Sequence, residues 1–476
     1  MIKNTSTEQI KDSLCQIFSD CGDFNIRPII TSNQTLYLAN LGAFSGRDYI
    51  SENVIKPIVT SNSTITDNNT LLSIICASEI KEADSLDTIK ILILGGFAVV
   101  FAQIGSDVSA YGCMARNDPG RSVSEPQGEI VVRGPREGFT EKAEDSAALI
   151  RKRLRTEDLK IINLSLGDYS QTTVKVLYVK DVADKRLVDD IVERIKQMKL
   201  PTVMDSGYVE QFLTRGKPRL FTEIGNSEKP DKVAAKLAEG RVAIICDGSP
   251  VVLTVPYLFV ESLQSAEDYL KTPYYATFIR FIRFICLLIS LYLPAFYIAV
   301  MEHHKNAVAH SLFASMMDAR KDIPFSIFGE LVVILLIFEL IREVGVRMPG
   351  SVGSAVSIVG GLILGDAAIS AGISSAPVIM VASLTAISTF ILPPYMNSTV
   401  LVRFINIFAA RMFGLVGIAV TVTFTLVYLC GKTSFGVPYM SPFSPANVNV
   451  FRDSLVVNPK KALTDSPEEL KKKEEQ

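Results

Sequence analysis

The chain has no tryptophan and only three histidines, His303, His304 and His310, which lie close together. A zinc site needs three or four suitably disposed ligands, and no cysteine accompanies these histidines, so no metal is expected. The seven cysteines (Cys15, Cys21, Cys76, Cys113, Cys246, Cys286, Cys430) are scattered, odd in number and without a C-x-x-C pair. That argues against a disulfide framework and fits reduced thiols facing a cytosol-like compartment. Also missing are G-x-S-x-G, a P-loop and G-x-G-x-x-G, so neither an enzyme nor a cofactor is expected. Charge of one sign is lacking as well: 48 basic residues stand against 50 acidic ones, which gives no case for nucleic acid. The first 30 residues carry Glu8, Asp12, Asp20 and Asp23 and have no basic start or apolar core of a signal peptide. The N-terminal half is therefore expected not to be exported.

What the chain does have is a sharp division. Positions 1–270 have ordinary soluble composition, whereas apolar runs dominate from Phe281 to Cys430. The expected fold class is an α+β soluble N-terminal region of two small mixed subdomains, followed by an all-α polytopic transmembrane bundle. A span needs about 20 mainly apolar residues. Phe284–Met301, Phe325–Ile341, Val352–Ile373, Pro377–Met396 and Phe404–Cys430 are candidates, so four to six spans are expected and five favoured. With tryptophan absent, tyrosines such as Tyr274, Tyr275, Tyr292, Tyr395 and Tyr428 must supply the aromatic interface anchors. Arg411 would lie at the interface, and Arg280 and Arg283 favour a cytoplasmic N-terminal side, an asymmetry that Lys305, Arg320 and Lys321 dilute.

The expected layout is a variable lead-in over 1–60, subdomains over 61–155 and 156–270, a helical membrane domain over 271–432 and a Pro-rich, then charged, tail over 433–476. A short amphipathic helix is expected over Leu71–Lys81, and Ile89–Phe101, broken by Gly95 and Gly96, reads as a hairpin. Thr173–Val179 reads as a strand, Asp184–Lys199 as a helix with Leu187, Ile191, Val192 and Ile195 at helical spacing, and Pro230–Leu237 as another helix. A glycine, a β-run, a Gly-containing turn and a second β-run occur both after Gly96 and after Gly240. The two subdomains are therefore expected to be related or convergent. The tail is Pro-rich from Ser434 and ends in Glu468-Glu-Leu-Lys-Lys-Lys-Glu-Glu, an end expected to be solvated and disordered.

Acidic residues in apolar segments carry the chemistry, because a bare carboxylate in hydrocarbon is costly and must meet a partner, a cavity or water. Glu330, Glu339, Glu343 and Asp366 are the candidates for an ion path or gate. The alternative is that they pair with Arg342, Arg347, Arg403 or Arg411 and fix helix packing. Nine residues separate Glu330 from Glu339, about 180° on one helix, whereas Glu339 and Glu343 share a face. In the soluble half, Arg133, Gly134, Pro135, Arg136, Glu137 and Phe139 form the densest motif. Its arginines have the geometry to hold an anion through forked hydrogen bonds. They could equally bond Glu125, Glu137 or Glu141, or meet a neighbouring subunit.

That motif, VVRGPREGFTE, followed by Ala147-Ala-Leu-Ile-Arg-Lys-Arg-Leu-Arg, resembles the A subunits of the GerA family of spore germinant receptors. The resemblance continues through Glu239-Gly-Arg-Val-Ala-Ile, Asp247-Gly-Ser-Pro and Gln264-Ser-Ala-Glu-Asp-Tyr. In the membrane half it takes in Glu339-Leu-Ile-Arg342-Glu343, Gly365-Asp366 and Ser434-Phe-Gly-Val-Pro-Tyr-Met-Ser-Pro. It implies a multi-pass protein of the spore inner membrane, with its N-terminal region on the spore-core side. The implied partners are a permease-like B subunit that binds the nutrient, a lipoprotein C subunit and further copies of the chain. The implied role is a ligand-gated channel that releases monovalent cations at germination. A late-sporulation paralogue, a secondary transporter and a non-conducting scaffold remain the alternatives.

Overall fold

The computed structural model describes residues 2, 5–31, 34–61, 65, 67–105, 107–115, 126, 128–129, 133–214, 220–347, 365–444 and 454–457. The chain divides into two units. The first comprises Met1–Lys217 and Ile224–Pro256, and the second Pro218–Glu223 and Tyr257–Thr464.

The first unit holds two five-stranded antiparallel sheets. One has the order β1-β2-β4-β5-β3, from β1 (Phe24–Ile30), β2 (Thr35–Leu41), β3 (Ile80–Ala83), β4 (Phe97–Ile104) and β5 (Asp107–Met114). The other has the order β6-β7-β9-β10-β8, from β6 (Leu159–Leu166), β7 (Thr172–Val179), β8 (Gly225–Ser227), β9 (Val242–Cys246) and β10 (Val252–Val255). Strand for strand the two orders are the same. The same local device precedes the central hairpin in each. Helix Leu86–Leu94 ends at Gly95 and hands over to β4 through Gly96 (φ +89°). Helix Pro230–Ala238 hands over to β9 through Gly240 (φ +98°). Both glycines adopt left-handed backbone that a side chain disfavours.

Four sequence expectations are corrected by these elements. Ile89–Leu94 is not the first arm of a hairpin but the end of a helix, capped by Ser85, whose hydroxyl accepts the Thr88 N–H. A short apolar run cannot declare its own periodicity. Positions 1–60 are not a lead-in, because they supply β1 and β2, and β2 pairs with β4 through Leu38↔Val100. The Leu71–Lys81 helix is displaced to Asn68–Ile74 and followed by β3. Nor does a break fall at 155/156: helix Ala143–Arg153 puts Ala147, Leu149 and Ile150 into one core with Leu159, Leu177 and Val233.

The second unit is mainly helical. Helix Pro273–Ile298 runs into a π turn over Ala299–His303. Helices His310–Asp318, Ile327–Arg347 and Ala376–Phe390 follow, then helical chain over Met396–Cys430. Among the described residues two stretches, Pro273–His303 and Pro393–Cys430, are long and apolar enough to cross a membrane, with mean hydropathies of 2.3 and 2.1. Ile327–Arg347 carries Glu330, Glu339, Arg342, Glu343 and Arg347, and Ala376–Phe390 is shorter. Most of the expected span Val352–Ile373 lies outside the described residues.

The expected single span Phe404–Cys430 is broken at Gly414, whose φ and ψ are +60° and −138°. The chain reverses there. The Phe221 ring lies 5.5 Å from Tyr395 and 6.4 Å from Tyr428, residues that a straight helix would hold about 50 Å apart. A Cβ on Gly417 would collide with the Ala409 carbonyl oxygen, so the limbs touch just beyond the turn. Each limb is about 25 Å long.

The start of the Pro-rich segment after residue 433 is folded. Thr433–Ser434 pairs with Val437–Pro438, and Tyr439 and Ser441 are fully buried. The charged end itself lies outside the described residues.

Candidate functional site

Each acidic candidate in the helical unit has a different environment. Glu330 is fully buried. Its Oε1 accepts the Ser375 N–H and Ser375 Oγ–H, each at 2.6 Å, and Ser374 Oγ–H at 3.1 Å. Its Oε2 accepts Arg320 Nε–H at 3.0 Å. The carboxylate thus caps the start of helix Ala376–Phe390, where unpaired backbone N–H groups favour negative charge. Arg320 was not among the arginines weighed from the sequence, because it lies in the loop before the helix and only the fold brings it near.

Glu339 faces Arg342 at 2.7 Å and Arg403 at 3.3 Å. Arg403 is buried, and it also donates to the Ser290 carbonyl at 2.8 Å and to the Thr389 hydroxyl. Glu343 pairs with Arg347 at 2.7 Å on the exposed side, and Asp366 is exposed. Spacing puts Glu339 and Glu343 on one face, yet only Glu339 reaches the buried cation.

At the head of helix Pro273–Ile298 stands a cluster that the sequence did not single out as a site. Asp268 accepts from Arg283 at 2.7 and 2.9 Å and from Arg280 Nε–H at 3.0 Å. Arg280 and Asp268 are fully buried, and Arg280 also donates to the Ser454 carbonyl at 3.0 Å. Burial acts to raise the Asp268 carboxyl, but hydrogen bonds from Arg283, Ser265 N–H and Arg280, with the Arg283 charge, outweigh it and hold the group below the ordinary carboxylate range. The Gln264–Tyr269 motif owes its aspartate to these two arginines, 12 and 15 residues downstream.

Buried Lys432 meets Glu223 at 3.3 Å and the Phe221 carbonyl, with its ammonium 4.9 Å from the Tyr439 ring. That cage accounts for the packing of the segment after residue 433.

In the α+β unit, Arg133, Gly134, Pro135 and Arg136 are exposed, whereas Phe139 is buried. Glu137 binds Lys152 at 3.0 Å and Arg153 at 2.7 Å. Burial acts to raise the Glu137 carboxyl, and these two cations overcome it and lower it. The next residues clamp a second motif: Gly248 N–H donates to the Glu141 carbonyl at 2.7 Å, and Ala143 N–H donates to Asp247 Oδ1 at 2.9 Å. Glu125 lies outside the described residues. Among the described residues no three or more His, Cys, Asp or Glu side chains gather to hold a metal.

These arrangements position backbone and pair charges; none forms a nucleophile–base relay. The family model described as Bacillus/Clostridium GerA spore germination protein matches residues 12–469. "Uncharacterized membrane protein YfkQ" of Bacillus subtilis is 34% identical over 96% of this chain and 90% of its own length. "Spore germination protein KA" of Bacillus subtilis is 35% identical over 89% of this chain and 79% of its own. The solved N-terminal domain of the A subunit of the Bacillus megaterium spore germinant receptor GerK3 aligns with a TM-score of 0.40 at 22% identity, covering 54% of this chain and 97% of that one. The chain belongs to the Bacillus/Clostridium GerA family of spore germination proteins.

Proposed function

We propose that this chain is the membrane-embedded A-type subunit of a nutrient-responsive germinant receptor in the spore inner membrane. Copies of it assemble around a cation path that opens when germinant binds. A permease-like B subunit supplies the nutrient site, a lipoprotein C subunit completes the complex, and the α+β unit lies on the spore-core side. The family match over residues 12–469 carries this reading. Four to six spans suit it: Pro273–His303, the two limbs on either side of Gly414, and two further helices, Ile327–Arg347 and Ala376–Phe390.

The charge environments refine which acids serve the path. Glu330 and Glu339 are engaged by arginines within the chain and act as packing charges. Glu343, paired with Arg347 on the exposed face, and exposed Asp366 lie where neighbouring copies can build a pore. Arg133 and Arg136, exposed beside the anchored Glu137 and Phe139, are assigned to contact with a neighbouring subunit.

Deleting the gene and following cation release from dormant spores tests the role. Loss of response to one nutrient class, with sporulation intact, is expected. If no nutrient response changes on deletion, the alternative holds instead: a paralogue formed late in sporulation.

A further inference from the structure

The reversal at Gly414 breaks a helix in the middle of an apolar stretch, and a break leaves carbonyls of one limb and N–H groups of the next without intrahelical partners. Such groups need other partners at the turn. Two adjacent histidines supply them. His303 Nε2 lies 2.9 Å from the Arg411 carbonyl oxygen, which only accepts, so that nitrogen carries the proton. Leu415 N–H donates to His304 Nε2 at 3.3 Å, so that nitrogen offers its lone pair. One imidazole thus caps the end of the first limb and the other caps the start of the second.

The fit is close. A Cβ on Gly414 would stand 2.9 Å from His304 Nε2 and 3.0 Å from His303 Cβ. The charged groups around the pair come from few elements. The π turn contributes Glu302 and the short turn after it Lys305, while the hairpin contributes Arg411, which binds Glu302 and lies over the Phe328 ring. The adjoining helix is uncharged from Phe284 to Ile298. Helix Ile327–Arg347 offers Glu330, already bound by Arg320.

We propose that His303 and His304 form a proton-sensitive latch on this helical hairpin, closed while His304 is neutral and released when it is protonated. Protonation fills the lone pair that receives Leu415 N–H and sets one N–H against another. It also adds positive charge beside Arg411 and Lys305, while the nearest carboxylate, Glu302, is engaged with Arg411. His303 is unaffected in kind, because it donates to a carbonyl in either state. Because only the released form accepts this proton freely, the ratio of released to latched hairpin is expected to rise as pH falls, by at most about tenfold per pH unit. The latch operates in the same way whether or not the chain conducts ions.

Amide hydrogen exchange by mass spectrometry, on the full-length protein in detergent and corrected for intrinsic rates, reads the Leu415 N–H directly. Protection over 411–417 is expected to fall as pH is lowered from neutral, by up to about tenfold per unit, while 398–406 stays protected. His304→Gln, which keeps an uncharged acceptor, is expected to abolish the pH dependence, and Glu302→Gln to preserve it. Constant protection in the unmodified chain overturns the proposal, and that result needs no variant to fold. Unchanged pH dependence in His304→Gln, or its loss in Glu302→Gln alone, overturns it equally.

Discussion

Arg151 grips Asp23 through contacts of 2.9, 3.1 and 3.2 Å, with both side chains sealed from solvent. The pair ties the turn before β1 to helix Ala143–Arg153, which packs in the core of the second sheet. Beside it, Gly22 N–H donates to the Ile161 carbonyl at 2.7 Å. Two sheets of like strand order are therefore joined by a buried ion pair and a backbone bond. Breaking one partner of such a pair leaves an uncompensated charge, which costs about 3–5 kcal/mol. Arg151→Met is expected to destabilise the α+β unit by about that amount. The double variant Arg151→Met/Asp23→Leu should recover much of the loss, as denaturant titration of the purified chain can show.

Glu330 gives the corresponding prediction in the helical unit. Glu330→Gln leaves Arg320 without its carboxylate and weakens the cap on helix Ala376–Phe390. Membrane accumulation and thermal stability are both expected to fall. Glu343→Gln, on the exposed face, should accumulate normally. Quantitative blots of membrane fractions with thermal melts of the solubilised chains separate the two.

Asp268 sets an acid limit. Its folded-state carboxyl is depressed, so the stability it contributes is fully present above the ordinary aspartate value of about 3.9 and is lost as pH falls through the lower folded value. Acid unfolding of the solubilised chain should therefore show a component below about pH 4 that vanishes in Asp268→Asn, at a lower overall stability.

The glycines of the hairpin are not replaceable. Gly417→Ala forces a methyl group into the Ala409 carbonyl oxygen, and Gly414→Ala strains a φ of +60°. Each is expected to cost about 1–3 kcal/mol or more and to lower the melting temperature. Ala→Gly changes elsewhere in the limbs should cost about 1 kcal/mol at most.

Thiol reactivity should divide the cysteines. Cys15, Cys76 and Cys430 are exposed, and Cys21, Cys113, Cys246 and Cys286 are buried. Burial pushes the Cys113 and Cys246 thiols up to about 12, which leaves them as inert thiols at neutral pH. Maleimide labelling of the native chain is expected to modify the first three, and all seven only after unfolding.

Periodicity made some of this fold readable and could not reach the rest. Leu187, Ile191 and Ile195 recur at helical spacing, and the helix spans Lys185–Lys196. The Gly240 hairpin was visible because a glycine and two β-branched runs bracket a polar turn. Strand β1 was hidden by Pro28, which is tolerated because β1 lies at a sheet edge. The reversal at Gly414 was hidden because glycine is ordinary in apolar helices. The turn shows in the Gly414 dihedrals, in the approach of Tyr395 and Tyr428 to Phe221 and in the contacts with His303, His304 and Ala409. Family motifs marked Asp268, Glu137 and Tyr439, but their partners Arg280, Lys152 and Lys432 are chosen by the fold.

Cation flux through proteoliposomes reconstituted with the purified chain and its receptor partners reaches furthest into the proposed function. Potassium efflux that starts on addition of germinant, needs no solute gradient and changes with Glu343→Gln in fully assembled complexes is the expected result. Intact complexes that bind germinant yet pass no ions would contradict it.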